Sequence, residues 1–415
     1  MRPPARLVLL LALAVLGAAG GVAAQGPPGT AAFGADRPAP SAGVAAFAPG
    51  LSDSVEVSLL TMLPGEQVYS LFGHSALRIR DEAAGLDRTY NFGTFSFDQP
   101  LFVLRFLGGR LDYLLDTAPF GAVLRQYQVE RRPIIEQRLQ IPPEAARALY
   151  ARLEDNALPQ NRAYRYDFFW DNCSTRLLDN VDSALVAVGG PELELPPAER
   201  RRTFRALLDP YWAAVPAVGL GANLGLGLPA DQLASAREEA FLPIELAGQL
   251  DRATVGGRPL VASRDTLFWV PGAGLPRPAP RVPLWAGWAV LAVGVAATAA
   301  GGWRPGRAGR WADAALFGAV GFAGLVLVLL WFATAHEVTG PNLNVLWAWP
   351  THLAAAWAVG RGGGRWRPYF AAAAAVTAVV ALVWTVLPQE LPAPLFPVAV
   401  LLAVRAGVRA GTTGG

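Results

Sequence analysis

One cysteine and three histidines occur in 415 residues. Thiol or imidazole chemistry must therefore be built from Cys173, His74, His336 and His352. Cys173 lies in the stretch YDFFWDNCSTRLLDN. Asp171, Asn172 and Ser174 are good capping residues, and Leu177, Leu178 and Val181 follow at helical spacing, so a helix is expected to start at or next to Cys173. The partial positive charge of a helix N-terminus favours a thiolate, and Arg176, one turn in, adds to it. Most lone cysteines are small buried hydrophobes. A polar helix start is unlike a core position, and an unpaired thiol in an oxidising compartment calls for a use. A nucleophilic thiol needs a base. His74, in LFGHSALRIR just after Gly73, opens a candidate strand and supplies an imidazole on a different element. Asn91, in TYNFG on the next strand, is expected to orient that imidazole, with Thr89 and Asp87 as competitors. No metal or cofactor is expected. The histidines are too scattered for a metal site, and the glycines at 362–364 lack the Lys-Ser/Thr of a phosphate loop.

The elements that must hold these groups alternate apolar and polar residues. VEVSLLTML, SALRIR, TYNFGTFSF and residues 134–141 read as strands, and Pro142-Pro143-Glu144 opens a helix to about Asn156. Together they predict an α+β domain over 51–208. Ahead of it, Arg2 and Arg6, the apolar residues 7–19 and the small residues Val22, Ala23 and Ala24 read as a signal peptide, 1–24, rather than an uncleaved anchor helix. A Pro/Gly/Ala-rich linker, 25–50, follows. The domain is thus expected outside the cytoplasm. Residues 209–283 read as a connecting region, in which 211–250, with Trp212 and Phe241, is expected to lie along a bilayer surface.

Hydrophobic residues make up 53% of the chain and charged ones 16%, as in a membrane protein with a sizeable soluble part. The net charge of +3 is too small and too dispersed for a nucleic-acid partner. Residues 284–408 hold five apolar runs, at 284–301, 312–334, 345–359, 369–387 and 395–408, and 409–415 form a tail. Arg304, Arg307 and Arg310, then Arg361, Arg365 and Arg367, then Arg405 and Arg409 fall on alternate connections. The positive-inside rule then predicts about five spans, with the C-terminus in the cytoplasm and the loop 336–344 outside. On that outer loop His336, Asn342 and Asn344 are candidate substrate-binding residues, as are Tyr166 and Arg176 beside the thiol. His352, inside the third run, is ionisable in a membrane segment and a functional candidate on that ground.

His74 on an early strand and the thiol on a later helix reverse the papain order. GHSALRIRD, TYNFGTFSFD, LGGRLDYLL, VERR and YRYDFFWDNCSTRLLD occur in that sequence, followed by TAHEVTGPNLNVLWAWP near the membrane runs. With these motifs the chain resembles the Lnb lipoprotein N-acyltransferase family. The resemblance implies a circularly permuted papain-like domain of the NlpC/P60 and lecithin:retinol acyltransferase kind, followed by an all-α membrane domain. It implies a bacterial inner-membrane enzyme with its catalytic domain on the periplasmic side. Its partners would be a phospholipid acyl donor and a diacylglyceryl-cysteine lipoprotein, and its catalytic positions His74 and Cys173, with Asn172 beside the thiol. A cell-wall peptidase or amidase on the same fold, and a non-enzymatic membrane-anchored binding module, remain open. The membrane half counts against the first and the intact His74/Cys173 pair against the second.

Overall fold

The computed structural model describes residues 50–95, 101, 105, 108–197, 200–274, 282–300, 306–361 and 366–411. The expected signal peptide and nearly all of the linker lie outside the described residues, as do Arg304, Arg365 and the end of the tail. The chain divides into a sheet unit, built mainly from residues 50–95, 111–197 and 236–274, and a helical unit, built mainly from 200–235 and 282–411.

The sheet unit contains strands β1 (Glu56–Met62), β2 (His74–Asp81), β3 (Leu86–Thr94), β4 (Asp112–Pro119), β5 (Ile134–Leu139), β6 (Ala163–Arg165) and β7 (Val261–Phe268). They form one sheet in the order β7-β5-β1-β2-β3-β4-β6. Every pairing is antiparallel. Period-2 alternation sends Val57, Leu59, Leu77, Ile79, Tyr90 and Phe92 to one face, where they pack against α2 (Pro143–Ala157), α3 (Cys173–Ala187) and α4 (Pro243–Leu250). Leu60, Met62 and Ala76 point the other way, onto Phe120, Val123 and Tyr127 of α1 (Phe120–Val129). Leu177, Leu178 and Val181 of α3 are at most 2% exposed. Burying each contributes roughly 1.5–3 kcal/mol, which seats the helix on the sheet and so fixes where its first residue falls.

The region expected to be one connector is shared between the units. Leu246, Ala247 and Leu250 of α4 join the sheet core, and Gln137 Nε2 donates to Ala247 O at 2.9 Å. β7 pairs with β5 along the sheet edge. Residues 236–250 therefore pack against protein. The start of the region goes to the helical unit, where Tyr211 is 1% exposed.

The helical unit carries α5 (Val282–Ala300), α6 (Arg307–Ala333), α7 (His352–Gly360), α8 (Arg367–Leu382) and α9 (Phe396–Gly411). Among the described residues two stretches, Arg307–Ala333 and Ala393–Gly411, are long and apolar enough to cross a bilayer by length and composition; α5 and α8 are apolar but shorter. The third expected span is not a continuous helix. Residues 345–359 are split between the 3-10 turn Leu343–Leu346 and α7, which has nine residues against the ~20 that a span requires. Pro350, two residues before α7, lacks an N–H and so cannot carry a helix on from the turn before it. A Cβ on Gly324 would overlap Ala348 O, and one on Gly321 would lie 2.5 Å from Leu353 N. Glycine therefore lets α6 touch the backbone of this broken segment.

Arg367, Arg405 and Arg409 gather at one end of the helices. Arg405 grips Asp313 with Nε and Nη2, at 2.5 and 2.8 Å, and donates to Thr298 Oγ1 at 2.6 Å. Arg409 Nε reaches Asp313 Oδ2 at 2.6 Å, and Arg367 Nε reaches Ala410 O at 3.0 Å. The ends of α5 and α9 and the starts of α6 and α8 thus share a side.

Candidate active site

Asn172 is the N-cap of α3, with an extended backbone (φ −123°, ψ −170°). Its Oδ1 accepts from the amides of Ser174 (2.8 Å) and Thr175 (3.0 Å), and Thr175 Oγ1 accepts from Asn172 N at 2.8 Å. This is a capping box. Nδ2 donates to Phe168 O and Phe241 O, both at 2.8 Å. All four side-chain valences are used and Asn172 is 2% exposed. The residue expected beside the chemistry is thus engaged in positioning it. The cap takes the second and third amides of the helix and leaves that of Cys173.

His74 arrives from the β1–β2 turn. Gly73 has φ +78°, and a Cβ there would sit 2.7 Å from Met62 O, so only glycine makes this turn without strain. His74 then pairs with Met62 as the first residue of β2. Its imidazole neighbours the Cys173 thiol, near enough for each group to bear on the other's charge, and Nε2 bonds Asn91 Oδ1. Because Oδ1 can only accept, Nε2 carries a proton, and Nδ1 is the nitrogen able to take one. Of the competitors for the third place, Asp87 is held by Arg78 at 2.7 Å and Thr89 is buried with its hydroxyl unpartnered among the described residues; Asn91 is the group on the ring.

The electrostatics follow from burial and proximity. Burial opposes the thiolate, but the His74 charge and hydrogen bond, the Ser75 amide and the Ser174 hydroxyl (3.9 Å from Sγ) outweigh it and hold the Cys173 pKa below the ordinary thiol range. Burial likewise opposes an imidazolium, yet the Cys173 charge and the hydrogen bonds with Cys173 and Asn91 outweigh both burial and nearby Arg132. They hold His74 above its ordinary value. Each group is the counter-ion that makes the other's charge tolerable.

The remaining candidates divide. Arg176 is bidentate on Asp171, at 2.5 and 2.8 Å, and lies 3.6 Å over the Tyr164 ring. Tyr166 stacks on Tyr113 at 4.3 Å and borders the thiol: a Cβ on Gly93 would lie 3.6 Å from its ring and 3.5 Å from Cys173 Cβ. His336, Asn342 and Asn344 belong to the helical unit. His336 packs against Gly109, and Ala335 N donates to Gly108 O at 2.9 Å. Asn342 and Asn344 are at most 1% exposed. Asn342 Nδ2 donates to the carbonyls of Leu224 (2.8 Å) and Gly225 (3.1 Å), and its Oδ1 accepts from Asn344 and Gln389. Asn344 is tied to Leu224 O and the Trp347 indole. These amides are spent on backbone and on one another, and offer nothing to a headgroup. His352 is closed in the same way, between Trp347 O and the Tyr369 hydroxyl.

An antiparallel sheet domain with a Cys–His–Asn cluster, joined to a bundle of apolar helices, defines a membrane-anchored thiol protein as a class. Residues 51–209 match the Lnb N-terminal periplasmic domain and residues 279–412 the Lnb transmembrane domain, and the chain belongs to the Lnb family. It is a membrane protein with an extracytoplasmic domain. No curated protein and no solved structure matches the chain.

Proposed function

We propose that this protein is a lipoprotein N-acyltransferase of the bacterial inner membrane, with its catalytic domain in the periplasm. It moves an acyl chain from a phospholipid ester, through a Cys173 thioester, to the amino terminus of a diacylglyceryl-cysteine lipoprotein. The observation that carries this reading is His74, at the start of β2, beside Cys173 at the start of a capped helix, in a chain that holds both Lnb domains. The order of His74 on a strand and Cys173 on a later helix supports a permuted papain-like arrangement. The arginines gathered at one end of the helical unit support a cytoplasmic C-terminus.

In the first half-reaction the Cys173 thiolate attacks the ester carbonyl and the carbonyl electrons move to oxygen. When the adduct collapses, the lysophospholipid alkoxide leaves with the proton of the His74 imidazolium, and a thioester remains on Cys173. In the second, the lipoprotein amine attacks the thioester, neutral His74 takes its proton, and the thiolate leaves. Asn91 holds the ring in one tautomer throughout.

Mass spectrometry of a lipoprotein amino terminus, in cells with this protein, without it, and with Cys173→Ser, tests the reading. N-acylation present only with the wild type supports it. An unmodified amine in all three, or N-acylation that survives Cys173→Ser, overturns it.

A further inference from the structure

The Tyr164 hydroxyl is a buried donor with nothing to bond among the described residues. The residue is 9% exposed, and its oxygen has no hydrogen-bond partner among the described residues. A buried unpaired hydroxyl costs roughly as much as a lost hydrogen bond, so its persistence needs a reason. Its surroundings supply one. Gly93 has φ +91°, and the place where a Cβ would stand lies 3.5 Å from Cys173 Cβ, 3.6 Å from Tyr166 Cε2 and 3.9 Å from the Tyr164 oxygen. The absent side chain thus leaves a notch bounded by the thiol's own carbon and by the free hydroxyl. We infer that the Tyr164 hydroxyl, with the Cys173 amide, is the oxyanion donor of this site, stabilising the tetrahedral adducts on the way into and out of the thioester. This rests on the acyl-transfer reading above.

Three further features fit. Burial first, and then the Cys173 charge, hold the Tyr164 pKa well above the ordinary phenol value, so the group stays a donor over the working range. The Arg176 guanidinium, 3.6 Å from the ring centroid and fixed by Asp171, draws on the π-system and sharpens the phenol as a donor. The T-shaped contact with Phe92 at 6.0 Å fixes the ring. As Cys173 sulfur bonds to the carbonyl carbon, the C=O π pair moves to oxygen, and that oxygen takes the Tyr164 hydrogen bond. When the adduct collapses, the pair returns and the alcohol leaves. The phenol keeps its proton throughout.

Tyr164→Phe removes only the hydroxyl and keeps the ring under Arg176. With no bond lost in the resting protein, its melting temperature should equal or exceed the wild type's. Acylation of Cys173 in the full-length protein by p-nitrophenyl octanoate, followed as p-nitrophenol release and as mass added to Cys173, should fall about 10²-fold or more, the usual effect of losing one oxyanion donor. Alkylation by iodoacetamide displaces iodide at a saturated carbon, builds no oxyanion, and should be unchanged. Equal acylation rates for the two proteins overturn the inference and leave the acyl-transfer reading standing. An equal fall in both reactions also overturns it, since Tyr164 would then act on the thiol itself. A wild type that never gains mass at Cys173 overturns the thioester reading and the inference together.

Discussion

Replacing Asn172 by alanine separates positioning from chemistry. The change deletes two accepted and two donated bonds. Losing the cap costs about 1 kcal/mol, and each of the Phe168 and Phe241 carbonyls, deprived of its partner in a largely buried setting, costs roughly 1–3 kcal/mol. A total of about 4 kcal/mol is a large part of the roughly 5–15 kcal/mol that holds a domain folded. At about 2–4 °C per kcal/mol for a domain of this size, the sheet unit should melt about 10–15 °C lower. Near-ultraviolet circular dichroism of the full chain in detergent, followed against temperature, gives the midpoint. Asn172→Asp keeps the acceptors of the cap and loses the two donated bonds, so its midpoint should fall between the other two. Its new carboxylate beside the sulfur should also raise the thiol pKa. An Asn172→Ala protein that melts within 2 °C of wild type but has lost acyl transfer about 10³-fold would refute the positioning role and return Asn172 to the chemistry.

The thiol's pH profile has a definite sign. With Cys173 held below the ordinary thiol pKa and His74 above the ordinary imidazole value, iodoacetamide alkylation should persist to lower pH than for an ordinary thiol and slow only as the pH falls through the lowered Cys173 pKa. In His74→Ala burial acts with less opposition and the inflection should move up, whereas a wild-type inflection at or above the ordinary ~8.5 contradicts the ion pair. Asp313→Ala leaves Arg405 and Arg409 without their shared carboxylate, which should cost about 3–5 kcal/mol in a detergent melt of the full chain while leaving Cys173 alkylation unaltered; an unchanged melt denies the cluster its role. A reporter active only outside the cytoplasm should be active when fused after Glu390 and silent at Gly415, and activity at Gly415 would mean an even number of crossings.

What could be read from the chain alone was what is local. The helix start at or next to Cys173, the strand after Gly73 and the helix opened at Pro142-Pro143 are written in adjacent residues, and the structure has helices Cys173–Ala187, capped by Asn172, and Pro143–Ala157, with the strand at His74–Asp81. What escaped depended on distant partners. β7 is an edge strand whose side chains are largely exposed, so it lacks the alternation that marks a half-buried strand, and its pairing with β5 spans more than a hundred residues. Asn342 and Asn344, polar residues in a loop expected to face outward, suggested ligand contacts. Their true acceptors are carbonyls at 224 and 225, which no periodicity reveals. The third apolar run reads as a span by hydropathy, and only the break at Pro350, with backbone packed on Gly321 and Gly324, shows it is not one helix. Tyr164 was hidden for a different reason: its sequence, YRY, gives no sign of which hydroxyl lacks a partner.

The same physical feature that makes the thiol reactive bears on what it transfers to. A thioester can be taken by an amine or by water, and water outnumbers any amine in the periplasm. A transferase must therefore keep its acyl-enzyme dry. Cys173 is buried, its neighbours include the stacked rings of Tyr113 and Tyr166, and the edge-on ring pairs Phe72–Phe168 and Phe169–Phe241 lie alongside the cap that precedes it. In such a setting an isolated thiolate would be too costly to form. The imidazolium of His74 removes that difficulty, because the pair carries no net charge and each ion satisfies the other. Dryness and ionisation, which oppose one another for a single group, become compatible for two. The proposed reaction needs both, and that is a physical reason for the lone thiol to sit at a capped helix start facing the end of β2, rather than on an open surface where hydrolysis would win.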